Sequence, residues 1–303
     1  MQKGLLQAES ATVGKLKLVC RHKLACGDSM DPRVPASILA GAQVSLCFTS
    51  PPYAQQRDYG AAKQKVGDWD ALMQGVFAAA PFNDETQILV NIGLVHRKNE
   101  WHPYWEGWVE WMRAFGWRRF GWYVWDQGPG LPGDWAGRLG PSFEFIFHFN
   151  REARQANKIV HKKPENIKAA PRGASGLRNK DGRVPKIANG ALFEATHKLP
   201  DNVIRITRHK GDIGDAGKHP AVFPVALPET ILETFSAVGG VVYEPFCGSG
   251  SQLLAAEITN RRCLAVELDP VYCDVAVRRW QNFTGQKAVH AGTGRTFDEA
   301  ANG

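Results

Sequence analysis

The chain lacks paired cysteines, long apolar runs and the residue spacings of a metal site. Its six cysteines never occur as a Cys-x-x-Cys pair, which argues against a zinc ribbon or a thioredoxin-type site. No segment approaches the roughly 20 apolar residues of a membrane span. Residues 1–18 also lack the continuous apolar run of a signal peptide. We therefore expect a cytoplasmic protein with free, buried thiols, no bound metal and no membrane contact.

The charge of the chain is unevenly distributed. The 303 residues carry a net charge of +7. Residues 151–218 hold 16 Lys and Arg against 7 Asp and Glu, whereas the remainder holds 21 against 23. All of the excess positive charge therefore lies in one internal segment. This distribution predicts a basic module that contacts phosphate groups and is attached to a nearly neutral body.

Apolar runs that predict strands alternate with runs that have helical periodicity. The predicted strands include residues 43–48, 87–92, 118–125, 143–149, 240–243 and 262–267, and the predicted helices include 68–80, 223–235, 251–259 and 270–283. This alternation is typical of a parallel α/β sheet, in which ligands bind beyond the carboxyl ends of the strands. Residues 49–53 and 244–251 each follow a predicted strand, so we expect both loops to face one crevice.

Residues 241–251 combine a strand, a glycine turn and the start of a helix. Gly248 and Gly250 can adopt positive φ and let a ligand approach the backbone, and the helix start beyond them presents free N–H groups. Leu253 takes the place of the third glycine of the dinucleotide fingerprint, which argues against a pyrophosphate ligand. Glu267 ends an apolar strand and suits the hydroxyls of a ribose. The alternatives are an ordinary strand-to-helix turn and a solvated strand end.

Residues 50–53, Ser-Pro-Pro-Tyr, have the chemistry to hold a planar amino group. The Ser50 hydroxyl and the Pro51 carbonyl are two hydrogen-bond acceptors, and they suit the two N–H bonds of an amine on an aromatic ring. Pro51 and Pro52 restrict the backbone, so the acceptors are positioned in advance. Tyr53 offers a ring on which an extruded base can stack, a contact worth ~1–3 kcal/mol. The alternative is a polyproline-like turn without chemistry.

Together these motifs resemble the β class of DNA amino-methyltransferases, in which the catalytic motif precedes the cofactor motif. Residues 49–53 are similar to the catalytic motif of that family, and residues 244–250 are similar to its S-adenosyl-L-methionine loop. The resemblance implies an α/β fold with a Rossmann-like, seven-stranded, mostly parallel sheet and a circularly permuted motif order. It also implies direct methyl transfer without a covalent enzyme intermediate.

Three further segments carry the resemblance. Residues 27–28 resemble the motif whose acid lies near the adenosine of the cofactor. Residues 219–224 resemble the segment that packs on its methionine part, and residues 264–269 resemble the ribose-binding strand end. The cofactor-binding residues that the resemblance implies are Asp28, Thr49, His219, Phe223, Pro224, Glu244, Phe246, Cys247, Gly248, Ser249, Gly250, Glu267 and Leu268.

The same resemblance divides the chain into three parts. Residues 18–150 form the catalytic half of the methyltransferase domain, residues 151–218 a basic target-recognition region, and residues 219–285 the cofactor-binding half. The expected partner is double-stranded DNA. The candidate DNA contacts are Arg57, Lys162, Lys163, Arg172, Arg178 and Arg183. A homodimer is left open, and no nuclease motif is visible in this chain.

Two exocyclic amines, adenine N6 and cytosine N4, are the candidate targets. Ser before Pro-Pro-Tyr is associated with cytosine-N4 members of the family, but the longer string at residues 49–60 resembles orphan enzymes of phages and prophages that methylate adenine. We expect adenine N6 in duplex DNA, reached by base flipping, with cytosine N4 as the alternative. The sequence argues against cytosine C5 as the target, because methylation of that carbon needs a nucleophilic Cys and no Pro-Cys pair occurs. A non-catalytic DNA-binding protein and an RNA base methyltransferase remain as rivals.

Overall fold

A computed structural model describes residues 6–8, 21–53, 68–130, 133, 135, 137–162, 196–208 and 224–301. Ten strands of these ranges form one sheet: β1 (Leu6–Ala8), β2 (Lys23–Cys26), β3 (Val44–Thr49), β4 (Gln87–Ile92), β7 (Arg118–Asp126), β8 (Phe143–Asn150), β11 (Val203–Arg205), β12 (Val241–Glu244), β13 (Arg262–Glu267) and β14 (Ala288–His290). Their order in the sheet is β11-β7-β8-β4-β3-β12-β13-β2-β1-β14. Two small two-stranded antiparallel sheets are separate from it, β5 (Val95–Arg97) with β6 (Glu100–His102) and β9 (Val160–His161) with β10 (His197–Lys198).

The centre of the sheet is parallel, as the sequence predicts. Strands β4, β3, β12, β13 and β2 all run in the same direction, and β8 pairs antiparallel with β4 on one side of this group. Both faces of the parallel strands are covered, which explains why their sequences are apolar almost without interruption. Every residue of β4 is buried.

The strand count differs from the prediction. The sheet has seven strands of four or more residues, but β1, β11 and β14 add three residues each, so ten strands pair in total. Segments this short carry no measurable periodicity, and the sequence therefore does not reveal them. Strand β11 lies within the basic segment and pairs with β7, so part of that segment belongs to the main sheet.

Helices cover the two faces with two separate cores. The helices are α1 (Arg33–Leu39), α2 (Trp69–Ala79), α3 (Glu106–Ala114), α4 (Ala226–Phe235), α5 (Ser251–Ile258), α6 (Pro270–Thr284) and α7 (Phe297–Ala301). Side chains of α1, α2 and α3 enter an aromatic core, in which the fully buried Trp108 contacts Trp69, Phe77 and Phe149. Side chains of α4, α5 and α6 enter a core of smaller residues on the opposite face. Within the described ranges, no helix has the length and apolar character needed to cross a membrane.

Candidate functional site

The two predicted loops lie side by side at one edge of the sheet. Strands β3 and β12 are parallel neighbours, with Tyr243 opposite Cys47, so their carboxyl ends point the same way. The Thr49 hydroxyl donates a hydrogen bond to Glu244 Oε1, which joins the end of one strand to the end of the other. The same oxygen accepts from the backbone N–H of Phe246 at 2.9 Å. The expected crevice between the loops is therefore formed by two directly paired strands.

Burial dominates the electrostatics of Glu244. The residue is 2% exposed. Loss of water raises the pKa of Glu244 to about 8, and the carboxylate of Glu267 contributes in the same direction. The hydrogen bonds from Thr49 and Phe246 oppose this shift. Glu244 is therefore mostly protonated at neutral pH, and it links the loops as a neutral group.

The glycine loop has the backbone conformation that its sequence predicts. Gly248 and Gly250 have φ of 53° and 81°, in the left-handed region that favours glycine. A Cβ on Gly250 would lie 2.9 Å from the Cβ of Ala276 in α6, so a side chain has no room there. Arg279, also in α6, donates to the carbonyl oxygen of Ser249 at 2.6 Å. Helix α6 thus packs against this turn and holds it in place.

Glu267 faces the glycine loop. Its Oε2 accepts from the backbone N–H of Gly248 at 2.7 Å, and its Oε1 accepts from that of Asp269 at 2.9 Å. Burial raises the pKa of this carboxyl group. Each carboxylate oxygen has a second lone pair, so both oxygens can still accept from ribose hydroxyls. The geometry is compatible with the predicted role, which stays a prediction.

The other cofactor candidates are distributed around the same edge. Asp28 follows β2, the neighbour of β13, and accepts from the backbone N–H of Met30 at 2.9 Å. Leu268 is exposed immediately after β13, and Pro224 is buried just before α4. Cys247 is buried, and burial raises the pKa of its thiol, so it is not an activated nucleophile. His219 and Phe223 lie outside the described residues.

The acceptor loop is anchored from both ends. Thr49 is held by Glu244, and the carbonyl oxygen of Pro52 accepts from Trp69 Nε1 at 2.8 Å. Pro51 is buried, whereas Ser50 and Pro52 are half-buried. This arrangement fixes the Ser-Pro-Pro segment against α2. A fixed segment is what the predicted acceptors, the Ser50 hydroxyl and the Pro51 carbonyl, need in order to be positioned before a ligand binds.

The side chain of Tyr53 is more buried than its predicted role as a stacking surface suggests. Its side chain is 7% exposed. The phenol donates to Glu144 Oε2 at 2.6 Å and accepts from Asn91 Nδ2 at 3.3 Å. Burial and the Glu144 carboxylate together raise the pKa of Tyr53 well above its usual value, so the phenol is neutral. The predicted contact between a base and this ring remains a prediction.

Three residues of this site were missed by the sequence interpretation. Glu144 lies in β8, Asn91 in β4, and Gly93 just beyond β4. A Cβ on Gly93 would lie 2.8 Å from Tyr53 Cε2, so glycine is needed for the ring to pass. The available signal was the presence of polar residues in two otherwise apolar strands, but β4 also carries Gln87 and β8 also carries His148 and Asn150, so the pattern does not single out Asn91 and Glu144.

One of the six predicted DNA contacts, Lys162, lies within the described residues. Lys162 is half-buried after β9, and its backbone N–H donates to the Thr196 carbonyl at 2.9 Å. The other candidates, Arg57, Lys163, Arg172, Arg178 and Arg183, lie outside the described residues. In the part of the chain that is described, no group of three or more His, Cys, Asp and Glu side chains could hold a metal ion.

Methyltransferases are among the known proteins that resemble this chain. The model of the family N6_N4_Mtase, described as DNA methylase, matches residues 44–278. The orphan methyltransferase M.BamHII of Bacillus amyloliquefaciens is 38% identical over 68 residues, which cover 22% of this chain and 26% of that protein. The type II methyltransferase M.Cfr9I of Citrobacter freundii is 25% identical over 282 residues, covering 80% of this chain and 83% of that protein.

Two solved structures share the fold. The PvuII DNA methyltransferase, described as cytosine-N4-specific, superimposes with a TM-score of 0.59 and 18% identity, over 86% of this chain and 87% of that one. The complex of M1.HpyAVI with S-adenosyl-L-methionine superimposes with a TM-score of 0.51 and 15% identity, over 85% and 99%. At these identities the matches establish the α/β architecture of the chain.

Proposed function

We propose that this chain, which belongs to the N6_N4_Mtase family of DNA methylases, transfers a methyl group to the exocyclic amine of a base in duplex DNA. The observation that carries the proposal is the contact between Thr49 and Glu244. This hydrogen bond joins residues 49–53 to residues 244–250. It supports the proposal because methyl transfer requires the loop that holds the amine and the loop that holds the cofactor to lie side by side.

The cofactor of this reaction is S-adenosyl-L-methionine, which supplies an electrophilic methyl group when it is bound. The residues present fit it. Gly248 and Gly250 carry no side chains that could block a ligand and have the positive φ of such a turn, and Glu267 presents a half-buried carboxylate to it. A crystal structure of the fold neighbour M1.HpyAVI contains the cofactor. In this chain, the glycine turn would hold the amino-acid and nucleoside parts, and Glu267 would accept from the ribose.

The residues of the acceptor loop prepare the amine. The lone pair of an exocyclic amine is delocalised into the aromatic ring, so the nitrogen is a poor nucleophile. Hydrogen bonds from its two N–H groups to Ser50 Oγ and to the Pro51 carbonyl favour a pyramidal nitrogen with a localised lone pair. Because the loop is anchored through Thr49 and Pro52, these acceptors lose little entropy when the base binds.

Adenine N6 is the proposed target, and cytosine N4 is the second candidate. The string at residues 49–60 supports adenine through its resemblance to phage-type orphan enzymes. The neutral Ser50 supports cytosine, because this residue type at this position is associated with cytosine-N4 enzymes. The duplex would be engaged by the basic segment at residues 151–218, and extrusion of the base would cost a few kcal/mol. We place the reaction in the cytoplasm, where DNA of a bacterial host or a phage is accessible.

One assay tests the function. Purified protein is incubated with unmethylated plasmid DNA and S-adenosyl-L-methionine, and the DNA is then digested and analysed by nucleoside mass spectrometry. N6-methyldeoxyadenosine is the expected product, and N4-methyldeoxycytidine would select the second candidate. A parallel reaction with RNA and a parallel measurement of cofactor binding complete the design. Transfer to RNA alone, or cofactor binding without any product, would contradict the proposal.

A further inference from the structure

A chain of hydrogen bonds runs below the acceptor loop and ends at a carboxylate. Glu144 Oε2 accepts from the Tyr53 phenol at 2.6 Å and also from Asn91 Nδ2. The Tyr53 oxygen in turn accepts from Asn91 Nδ2 at 3.3 Å. Hydrogen bonding by the Ser50 side chain opposes the rise in the pKa of the same phenol, which places Ser50 next to the phenol oxygen. Four side chains from three strand ends thus form one connected network.

This network crosses from one face of the sheet to the other. Because side chains alternate along a strand, Asn91 and Glu144 point to the same face as Leu89 and Ile146, which lie in the core of smaller residues. The Tyr53 ring instead packs in the aromatic core on the opposite face. The phenol reaches Glu144 by passing over Gly93, where no side chain could be accommodated beside the ring.

The direction of each hydrogen bond in the network follows from the chemistry of its members. An ionised carboxylate only accepts, and a phenol has one proton to donate. Since the Tyr53 proton goes to Glu144, the phenol oxygen can only accept from Ser50, so the Ser50 hydroxyl must donate its proton toward Tyr53. The lone pairs of Ser50 Oγ are then left to accept from an external N–H group.

We infer that Glu144 is a positioning residue for the methyl-transfer reaction: acting through Tyr53, it fixes the Ser50 hydroxyl as an acceptor for the amine of the target base. This inference rests on the proposed function. A purely structural role of Glu144 would affect turnover whether or not residue 53 carries a phenol oxygen. The positioning role instead predicts that the effect of Glu144 on turnover depends on that oxygen. Asn91 supports the arrangement by donating to both Glu144 and Tyr53.

A double-mutant cycle tests the inference. Turnover and cofactor affinity are measured for the wild type, Glu144→Gln, Tyr53→Phe and the double variant, with plasmid DNA as substrate. The Gln amide can donate a proton to Tyr53, so the fixed direction of the network is lost. Because Glu144 acts through the Ser50 acceptor, we expect Glu144→Gln to lower kcat by no more than the loss of that one hydrogen bond, about threefold to tenfold. In the Tyr53→Phe background the same change is expected to cost about twofold or less, since the connecting oxygen is absent.

The controls separate positioning from stability. The control variant is Glu110→Gln. Glu110 is an exposed carboxylate that accepts a hydrogen bond from the side chain of Arg119. Its replacement should leave turnover unchanged. The affinity for S-adenosyl-L-methionine and the thermal unfolding midpoint of Glu144→Gln should stay near those of the wild type. A loss of kcat of equal size in both Tyr53 backgrounds, or a loss that follows unfolding or cofactor affinity, overturns the inference.

The failure of the proposed function is distinguishable from the failure of this inference. If the wild type forms methylated DNA and Glu144→Gln is equally active, Glu144 has no positioning role and the proposed function stands. If the wild type forms no methylated base, the proposed function fails, and the role assigned to Glu144 fails with it.

Discussion

Replacing Gly250 with alanine adds one methyl group at the tightest point of the glycine loop. The new Cβ would lie 2.9 Å from the Cβ of Ala276, closer than two carbon atoms can approach without displacement. The backbone there has φ of 81°, which costs a residue with a side chain about 1–2 kcal/mol. Overpacking adds about 1–3 kcal/mol. We therefore expect Gly250→Ala to lower the free energy of unfolding by about 2–5 kcal/mol.

A second glycine separates the two contributions. Gly285 follows α6 with φ of 70°, but nothing lies within 4 Å of a Cβ at that position. Gly285→Ala should therefore show the cost of the backbone conformation alone. Urea unfolding measures both variants, and calorimetry with S-adenosyl-L-methionine measures the affinity of each. We expect weakened cofactor binding for Gly250→Ala and unchanged binding for Gly285→Ala.

The clash itself can be relieved. Ala276→Gly in the Gly250→Ala background removes the methyl group that the new side chain meets, so it should recover part of the affinity for the cofactor. Equal losses of stability in Gly250→Ala and Gly285→Ala, with no loss of cofactor affinity in either, would refute the steric reasoning for this loop.

Two further predictions address the acceptor loop and the buried acid that joins it to the glycine loop. Ser50→Ala removes one acceptor of the amine, so turnover should fall about threefold to tenfold, the equivalent of one neutral hydrogen bond. Cofactor affinity should not change, and Ser37→Ala, which removes an exposed serine hydroxyl from α1, should be fully active. Unchanged turnover of Ser50→Ala in the mass-spectrometric assay would leave the Pro51 carbonyl as the sufficient acceptor. For Glu244, the pKa of about 8 in the folded protein lies above the usual value of 4.5. The folded state therefore holds a proton that the unfolded chain releases, and the stabilisation is complete below pH 4.5 and is lost as the pH rises to about 8. Urea unfolding of the wild type between pH 5 and 8 should show a decline of up to about 1.4 kcal/mol per pH unit from this group. The decline should be smaller in Glu244→Gln, and equal slopes for the two proteins would contradict the assignment.

The positions of the two loops could be predicted from sequence because each follows an apolar strand of a parallel sheet. Strand direction alone then places residues 49–53 and 244–250 at one edge, and the contact between Thr49 and Glu244 agrees with this expectation. The positive φ of Gly250 follows equally from the strand–glycine–helix pattern.

The surroundings of Tyr53 could not be predicted in this way. Its contact with Glu144 depends on β8 pairing antiparallel with β4, and periodicity within a strand does not specify which strands become neighbours. Its burial likewise depends on the ring passing over Gly93, which is a property of the assembled sheet. The short strands β1, β11 and β14 were missed because pairing at the edge of an existing sheet, and not local sequence, creates them.

The pairing of β3 with β12 also determines when the site can form during synthesis. Thr49 and Glu244 are 195 positions apart, so at 5–20 residues per second a ribosome needs about 10–40 s to add the second after the first. Until then, one edge of the apolar strand β3 has no partner from β12. During synthesis the site can therefore form only after residue 244 has been added, and a nascent chain that stops before β12 retains an unpaired edge that favours aggregation.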